Sequence, residues 1–375
     1  MDYRGTLILR ERLRKNWSQE GLCRGICAVS YLSKIEKGRA EPSEDILRRL
    51  LERLGLHTDR ALEEKAAALA ALAWETLLYE GEDRMYGVLG GNIQPFYPTA
   101  AGLDLQLLAR FGPDERLPLD SQLESCMMPR QLALQRILQE RYDEAVGLLP
   151  CGLTYLTAGV AAYDRGEYLS AAELLQTAYE LAAREGAPRL MMLIQAYLGN
   201  ICNNCGDPAG MEKHYAVTSR IAKALNEPQM VKQLDYNRGA LAIEMGRFEE
   251  AYTYFSALSE PGLLELHKLA IASERTGRRG EALRALERAE GLDCWLPDDL
   301  GRQLCELVRF RLEHEGYLEN AEYGRLLQLC FERCRRELPA GFAAFHLPWM
   351  LEWLTATRQY KQAYELMRDF PANRR

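Results

Sequence analysis

Two serines and two lysines recur at helical spacing in VSYLSKIEKG, residues 29–38. Ser30, Ser33, Lys34 and Lys37 fall on one side of a helix drawn through this stretch, and Leu32 and Ile35 on the other. The outer stripe offers hydroxyls and positive charge without a carboxylate, the groups that meet the phosphates and base edges of nucleic acid. No other set of residues has the spacing of a reactive centre. Cys202 with Cys205 (CNNC) and Cys330 with Cys334 (CFERC) are the close cysteine pairs, and neither has a second pair or a nearby His pair to complete a zinc site. They read as small apolar residues packed within helices. The five histidines are scattered, HExxH, GxSxG and GxxxxGK[ST] are absent, and Gly90-Gly91 reads as a turn. The expectation is a protein that is no enzyme and holds no cofactor and no metal.

A reading stripe of this kind needs a short helix held in place by others, and the first 56 residues carry the starts and stops of four or five. Residues 6–15 predict the first, with Ile8, Leu9 and Leu13 on one side. Ser18 caps a short second helix, SQEGLCR, where Glu20 suits the positive helix end. Gly25 permits the positive φ of a tight corner. The third helix, VSYLSKIEK, stops at Gly38, and Ser43 caps a fourth, EDILRRLLERL, with Ile46, Leu47, Leu50 and Leu54 inward. Leu32 and Ile35 are expected to pack with Leu13, Leu22 and Ile26. Short helix, turn and second helix make the helix-turn-helix arrangement, whose second helix enters the major groove of double-stranded DNA.

The run from SQEGLCRGICAVSYLSKIEKG to EPSEDILRRLLERLG resembles the Xre/Cro-type helix-turn-helix. More narrowly, GIC-x-VSYLSKIE-x-G…PS-x-x-IL is similar to the N-terminal domain of the RRNPP regulators, the peptide-sensing quorum proteins named for Rgg, Rap, NprR, PlcR and PrgX. The resemblance implies that Val29, Ser30 and Lys34 face the bases and that Gln19 touches a phosphate, with Lys37 and Arg39 as further phosphate contacts. It also implies an internal ion pair between Arg12 and Glu36. Two positions depart from the pattern: Ala28 stands where a Ser or Thr cap is usual, and Gly21 occupies a common Glu position.

Charge divides the chain in the same way. Residues 1–60 hold 13 Lys and Arg against 9 Asp and Glu, a balance of +4, and the rest carries −11 of the overall −7. A small basic module precedes a large acidic one. The N-terminus lacks the apolar core of a signal peptide, and the longest weakly polar run, AAALAALAW at 66–74, is half of the roughly 20 residues that cross a bilayer. No membrane contact and a cytoplasmic location are expected. The acidic part repeats a template: ERYDEAVGLL, GEYLSAAELLQTAYE, GRFEEAYTYFSAL, GRRGEALRALERA and RQYKQAYELM. It resembles the turn and second helix of the tetratricopeptide repeat, with glycines 166, 206, 246 and 277 at 40, 40 and 31 residues apart. The fold class expected is all-α: a helix-turn-helix domain at 1–58, then a tetratricopeptide-like right-handed α-solenoid of seven to nine hairpins at 59–375 for sensing and dimerisation. LGGNIQPFYPTAAG, 89–102, reads as a long connection.

Such a solenoid presents its first helices on a concave wall suited to an extended peptide, whose unpaired N–H and C=O groups an Asn amide can meet together. Asn200 and Asn237 project from successive first helices toward that wall, and Asn203 and Asn204 lie nearer the turn. Gln195, Tyr197, Lys268 and Arg238 are further lining candidates. In the RRNPP regulators wall asparagines hold the signal peptide's backbone, so the resemblance implies that role here. The expected function is a peptide-responsive transcriptional regulator binding operator DNA as a homodimer. Two alternatives are a Rap-like regulator of response regulators, for which SYLSKIEKG has no use, and an Xre-type repressor whose solenoid only dimerises.

Overall fold

The computed structural model describes residues 3–110, 124 and 127–370. Every regular element among them is a helix, and none is long and apolar enough to cross a membrane. The chain divides into two compact units, Met1–Ala158 with Thr177–Met191, and Gly159–Gln176 with Met192–Arg375.

In the first unit, α1 (Tyr3–Arg14), α2 (Gln19–Cys23), α3 (Val29–Glu36), α4 (Glu44–Arg53) and α5 (Arg60–Glu80) follow one another. Ser18 Oγ accepts the Gly21 N–H at 3.0 Å, and Asp59 Oδ1 accepts the Leu62 N–H at 2.7 Å, so α2 and α5 start on side-chain caps. Ala28 supplies no such bond to α3. Gly25 has φ +72°, the left-handed corner expected between α2 and α3. Ile8, Leu22, Leu32 and Leu50, one from each of the first four helices, are wholly buried together with Leu51. Leu13 corrects the sequence reading: it is 53% exposed. The helix begins at Tyr3 and turns Ile8 and Arg12 inward, and Leu13, five residues beyond Ile8, lies about 140° round the axis. Ile26 is only half-buried. The connection read at 89–102 follows the helix Glu82–Leu89, contains one 3-10 turn, Gln94–Phe96, and ends at the helix Gly102–Arg110.

The second unit is built from helical hairpins on a period of 40 residues. Gly159, Gly199 and Gly239 occupy one position in successive first helices, and Leu175, Tyr215 and Phe255 one position in the second. A Cβ on these glycines would come within 2.7, 2.4 and 2.6 Å of those three side chains, so each hairpin closes only because the first helix lacks a side chain there. The turns between the paired helices are glycines at φ +79°, +73°, +73° and +76°, residues 166, 206, 246 and 277. Each ends its helix in a Schellman motif, in which the following N–H reaches five residues back: Asp207 to Cys202, Arg247 to Ala242 and Arg278 to Ser273, all at 2.8 Å. The pattern read from the sequence is therefore the hairpin turn itself. Arg358 takes the same place at φ +60°, with Gln359 N–H on Leu354 O at 2.7 Å.

Candidate functional site

Two constellations carry chemistry, one in each unit. In the first, α1 and α3 are locked by Arg12 and Glu36, which are 7% and 5% exposed. Arg12 Nε and Nη2 donate to the two carboxylate oxygens at 2.6 and 3.0 Å, and Nη1 donates to Trp17 O at 2.7 Å. The pair implied by the family resemblance is present, with a bidentate geometry that satisfies both partners. Gln19 Nε2 completes it by donating to Glu36 Oε2 at 2.6 Å. Gly5 lets the two helices touch at the backbone, since a Cβ there would lie 2.3 Å from Ile35 O. From α4, Arg49 donates to Gly25 O at 2.7 Å and Arg53 to Leu22 O and Arg24 O at 2.9 and 2.6 Å, so the carbonyls at the end of α2 are met by cations.

These supports leave the outer face of α3 clear. Val29 is 42% exposed, Ser30, Lys34, Lys37 and Arg39 are exposed, and Ser33 is half-buried. Among the described residues none of Lys34, Lys37 and Arg39 lies within 4 Å of a carboxylate in an ion pair, whereas Arg48 on α4 is held by Asp45 at 2.7 Å and Glu52 at 2.8 Å. Lys34 on α3, with Lys37 and Arg39 just beyond its end, and an ion-paired Arg48 on α4 leave positive field on the α3 side. Gln19, half-buried, gives one N–H of its amide to Glu36 and keeps the other to donate.

In the second unit, Asn200, Asn203, Asn204 and Asn237 line one cavity of about 660 Å³. Asn200 and Asn237 belong to the first helices of successive hairpins, Pro188–Asn204 and Pro228–Glu244. They meet directly. Asn237 Nδ2 donates to Asn200 Oδ1 at 2.9 Å and to Tyr215 Oη at 3.0 Å, while Tyr215 donates to Asn200 Oδ1 at 2.6 Å. Gln233 Nε2 donates to Asn237 Oδ1 at 3.1 Å. The Asn200 oxygen is thus saturated and its NH2 group is left to donate, while Asn237 keeps one lone pair to accept. The two together present the donor and acceptor that one peptide group needs. Asn204 Nδ2 donates to Tyr163 Oη at 3.1 Å, and Asn203 Oδ1 is buried without a partner among the described residues.

Of the further lining candidates, Tyr197 and Lys268 face this cavity. Arg238 does not: it is engaged by Glu212 at 2.7 and 2.9 Å and by Asp235 at 2.9 Å. Gln195 pairs with His214 at 2.7 Å, outside the lining. Tyr215, the wholly buried hydroxyl that joins the two asparagines, was not legible as a site residue; the signal was Gly199, sixteen positions earlier, which leaves room for its ring. Trp295 and Phe342, edge to face at 5.6 Å, add an aromatic section of wall from distant parts of the chain.

A helix-turn-helix family model matches residues 8–60. No curated protein matches the chain. Among solved structures, the crystal structure of Bacillus thuringiensis PlcR in complex with the peptide PapR7 and DNA is similar at 14% identity, over 62% of this chain and 99% of that one, with a TM-score of 0.31. An overlay that loose transfers no residue of a site. Residues 8–60 form a helix-turn-helix domain, and the body that follows it is helical throughout among the described residues.

Proposed function

We propose that this protein is a peptide-responsive transcriptional regulator. Its domain at 1–58 reads operator DNA through Val29, Ser30, Ser33 and Lys34, with Gln19, Lys37 and Arg39 toward phosphates. Its body, 59–375, is a tetratricopeptide-like sensor that holds a short signalling peptide against Asn200, Asn203, Asn204 and Asn237. The observation that carries the reading is the Asn200–Tyr215–Asn237 knot, a matched donor and acceptor facing a cavity, in a chain that also bears a helix-turn-helix. A homodimer follows from operator geometry, since half-sites about 34 Å apart need two reading heads. The peptide acts by favouring one arrangement of those heads over another.

The test has two parts. Selection of random duplexes by the full chain is expected to return a palindromic sequence, and DNase protection of it is expected to change when a peptide is retained by the protein. Selection of no preferred sequence removes the operator reading. A preferred sequence whose protection no peptide alters leaves a repressor without a sensor.

A further inference from the structure

Lys268, in the helix Leu263–Arg275, lines the same cavity and is 6% exposed. A buried ammonium is ordinarily matched by a carboxylate, because its desolvation is otherwise uncompensated. Among the described residues Lys268 has none within 4 Å; its Nζ instead stands 3.0 Å from the centre of the Phe345 ring. A ring face offsets only part of what water gave. The neighbours do not complete the compensation. His267 and His346 pack beside it and are held neutral by burial, His346 down to about 3. Burial likewise pushes the Cys334 thiol up to about 11, so it is uncharged at neutral pH, and Arg311 adds positive charge to the same neighbourhood. Glu244 alone acts on Lys268 as an anion, and from beyond ion-pair distance. Burial outweighs that attraction and brings the lysine down to about 7.

Elsewhere the wall is acidic, with Asp164, Glu265 and Asp293 on it, and Lys268 is the single cation among the described lining residues. An anionic group entering this cavity therefore has one place to rest. We infer that Lys268 receives a carboxylate of the bound peptide, either its free C-terminus or an Asp or Glu side chain. The inference rests on reading the cavity as the peptide site. It fixes the ligand's polarity, since the surrounding carboxylates repel a second anion and favour a neutral or basic remainder.

Binding then favours the charged form of a lysine that burial brings down to about 7. The carboxylate favours the protonated form, so the affinity is fully present below pH 7 and falls roughly tenfold per unit above it, with one proton taken up. The two histidines stay neutral through that range.

Three pools of N-acetylated random heptapeptides separate the outcomes. One has a free C-terminus and no Asp or Glu, one is amidated and contains both, and one is amidated without them. Each is passed with the full chain through gel filtration, and retained peptides are counted by mass spectrometry. Retention from the first pool assigns the C-terminus, and from the second a side chain. In either case it is expected to fall at least tenfold in Lys268→Met and, for the wild type, between pH 7 and pH 8.5. Equal retention from the third pool, or retention indifferent to both the substitution and pH, overturns the role of Lys268 and leaves the peptide reading standing. No retention from any pool overturns both.

Discussion

Arg12 shows why a single residue decides whether the reading head holds its shape. It is buried, bidentate on Glu36 and bonded to Trp17 O, so removing it strands a carboxylate that otherwise keeps only Gln19. Breaking one member of a buried pair costs about 3–5 kcal/mol, against about 0–1 kcal/mol for an exposed pair. Arg12→Ala is therefore expected to lower the unfolding transition of the first unit far more than Arg14→Ala, since Arg14 is itself exposed where it pairs with Glu11 on the same helix. Equal melting shifts for the two would mean the pair is not the lock. On the outer face the distinction is one of readout. Lys34→Ala is expected to cost about 1–3 kcal/mol on the preferred operator and to relax one base position, the signature of a base contact. Lys37→Ala should weaken all sequences alike and reduce the salt slope by about one. Mobility shifts across operator variants and salt concentrations compare them, and indistinguishable mutants would remove the assignment. The ion pair was legible only through family resemblance; from composition alone Arg12 and Glu36 are two charged residues among many.

Elements were legible where backbone and periodicity agree. The four starts and stops of the first domain fall within a few residues of those expected, because Ser18, Gly25 and Ser43 act through local bonds and local φ. The inward face of α1 was misread because a buried Arg takes a place that a hydrophobic count assigns to Leu13. In the second unit the repeated glycine was legible as a turn, while the closer constraint, a missing Cβ against the next helix, needs contact distances to see. Arg358 tests the turn. It holds the left-handed conformation that glycine supplies elsewhere, at a cost of roughly 1–2 kcal/mol for a residue with a Cβ. Glycine relieves that and gives back about 0.4–1 kcal/mol through the freer unfolded chain. The side chain is exposed and makes no ion pair among the described residues, so nothing else is lost. Arg358→Gly is expected to raise stability by about 0.5–1 kcal/mol in thermal melts, and Arg358→Ala to leave it unchanged. A gain with alanine equal to that with glycine would place the cause in the arginine side chain.

At the scale of the whole molecule, the question is whether the body's cavity and the DNA-reading face can be perturbed separately. Asn200 and Asn237 were expected to grip a peptide one by one, but the knot makes them a unit, with Tyr215 between them. Replacing either by Ala removes one half of the donor–acceptor pair and frees the other from its orientation. The loss is expected to be about 1–3 kcal/mol in each case, since a buried peptide N–H or C=O is left unmatched. That is up to about a hundredfold in affinity. Residues in one network are not additive, so Asn200→Ala with Asn237→Ala is expected to cost little more than either alone. On the proposal that the bonds go to a peptide backbone, the loss should be alike for every peptide the wild type retains, and operator binding without peptide should stay within twofold of the wild type. Titration calorimetry with retained peptides, beside a mobility shift without them, measures both sides. Full additivity in the double variant would mean two separate contacts in place of a knot. Unchanged affinity would take the asparagines out of the site, and a parallel loss of operator binding would show that they serve the fold of the chain instead of its ligand.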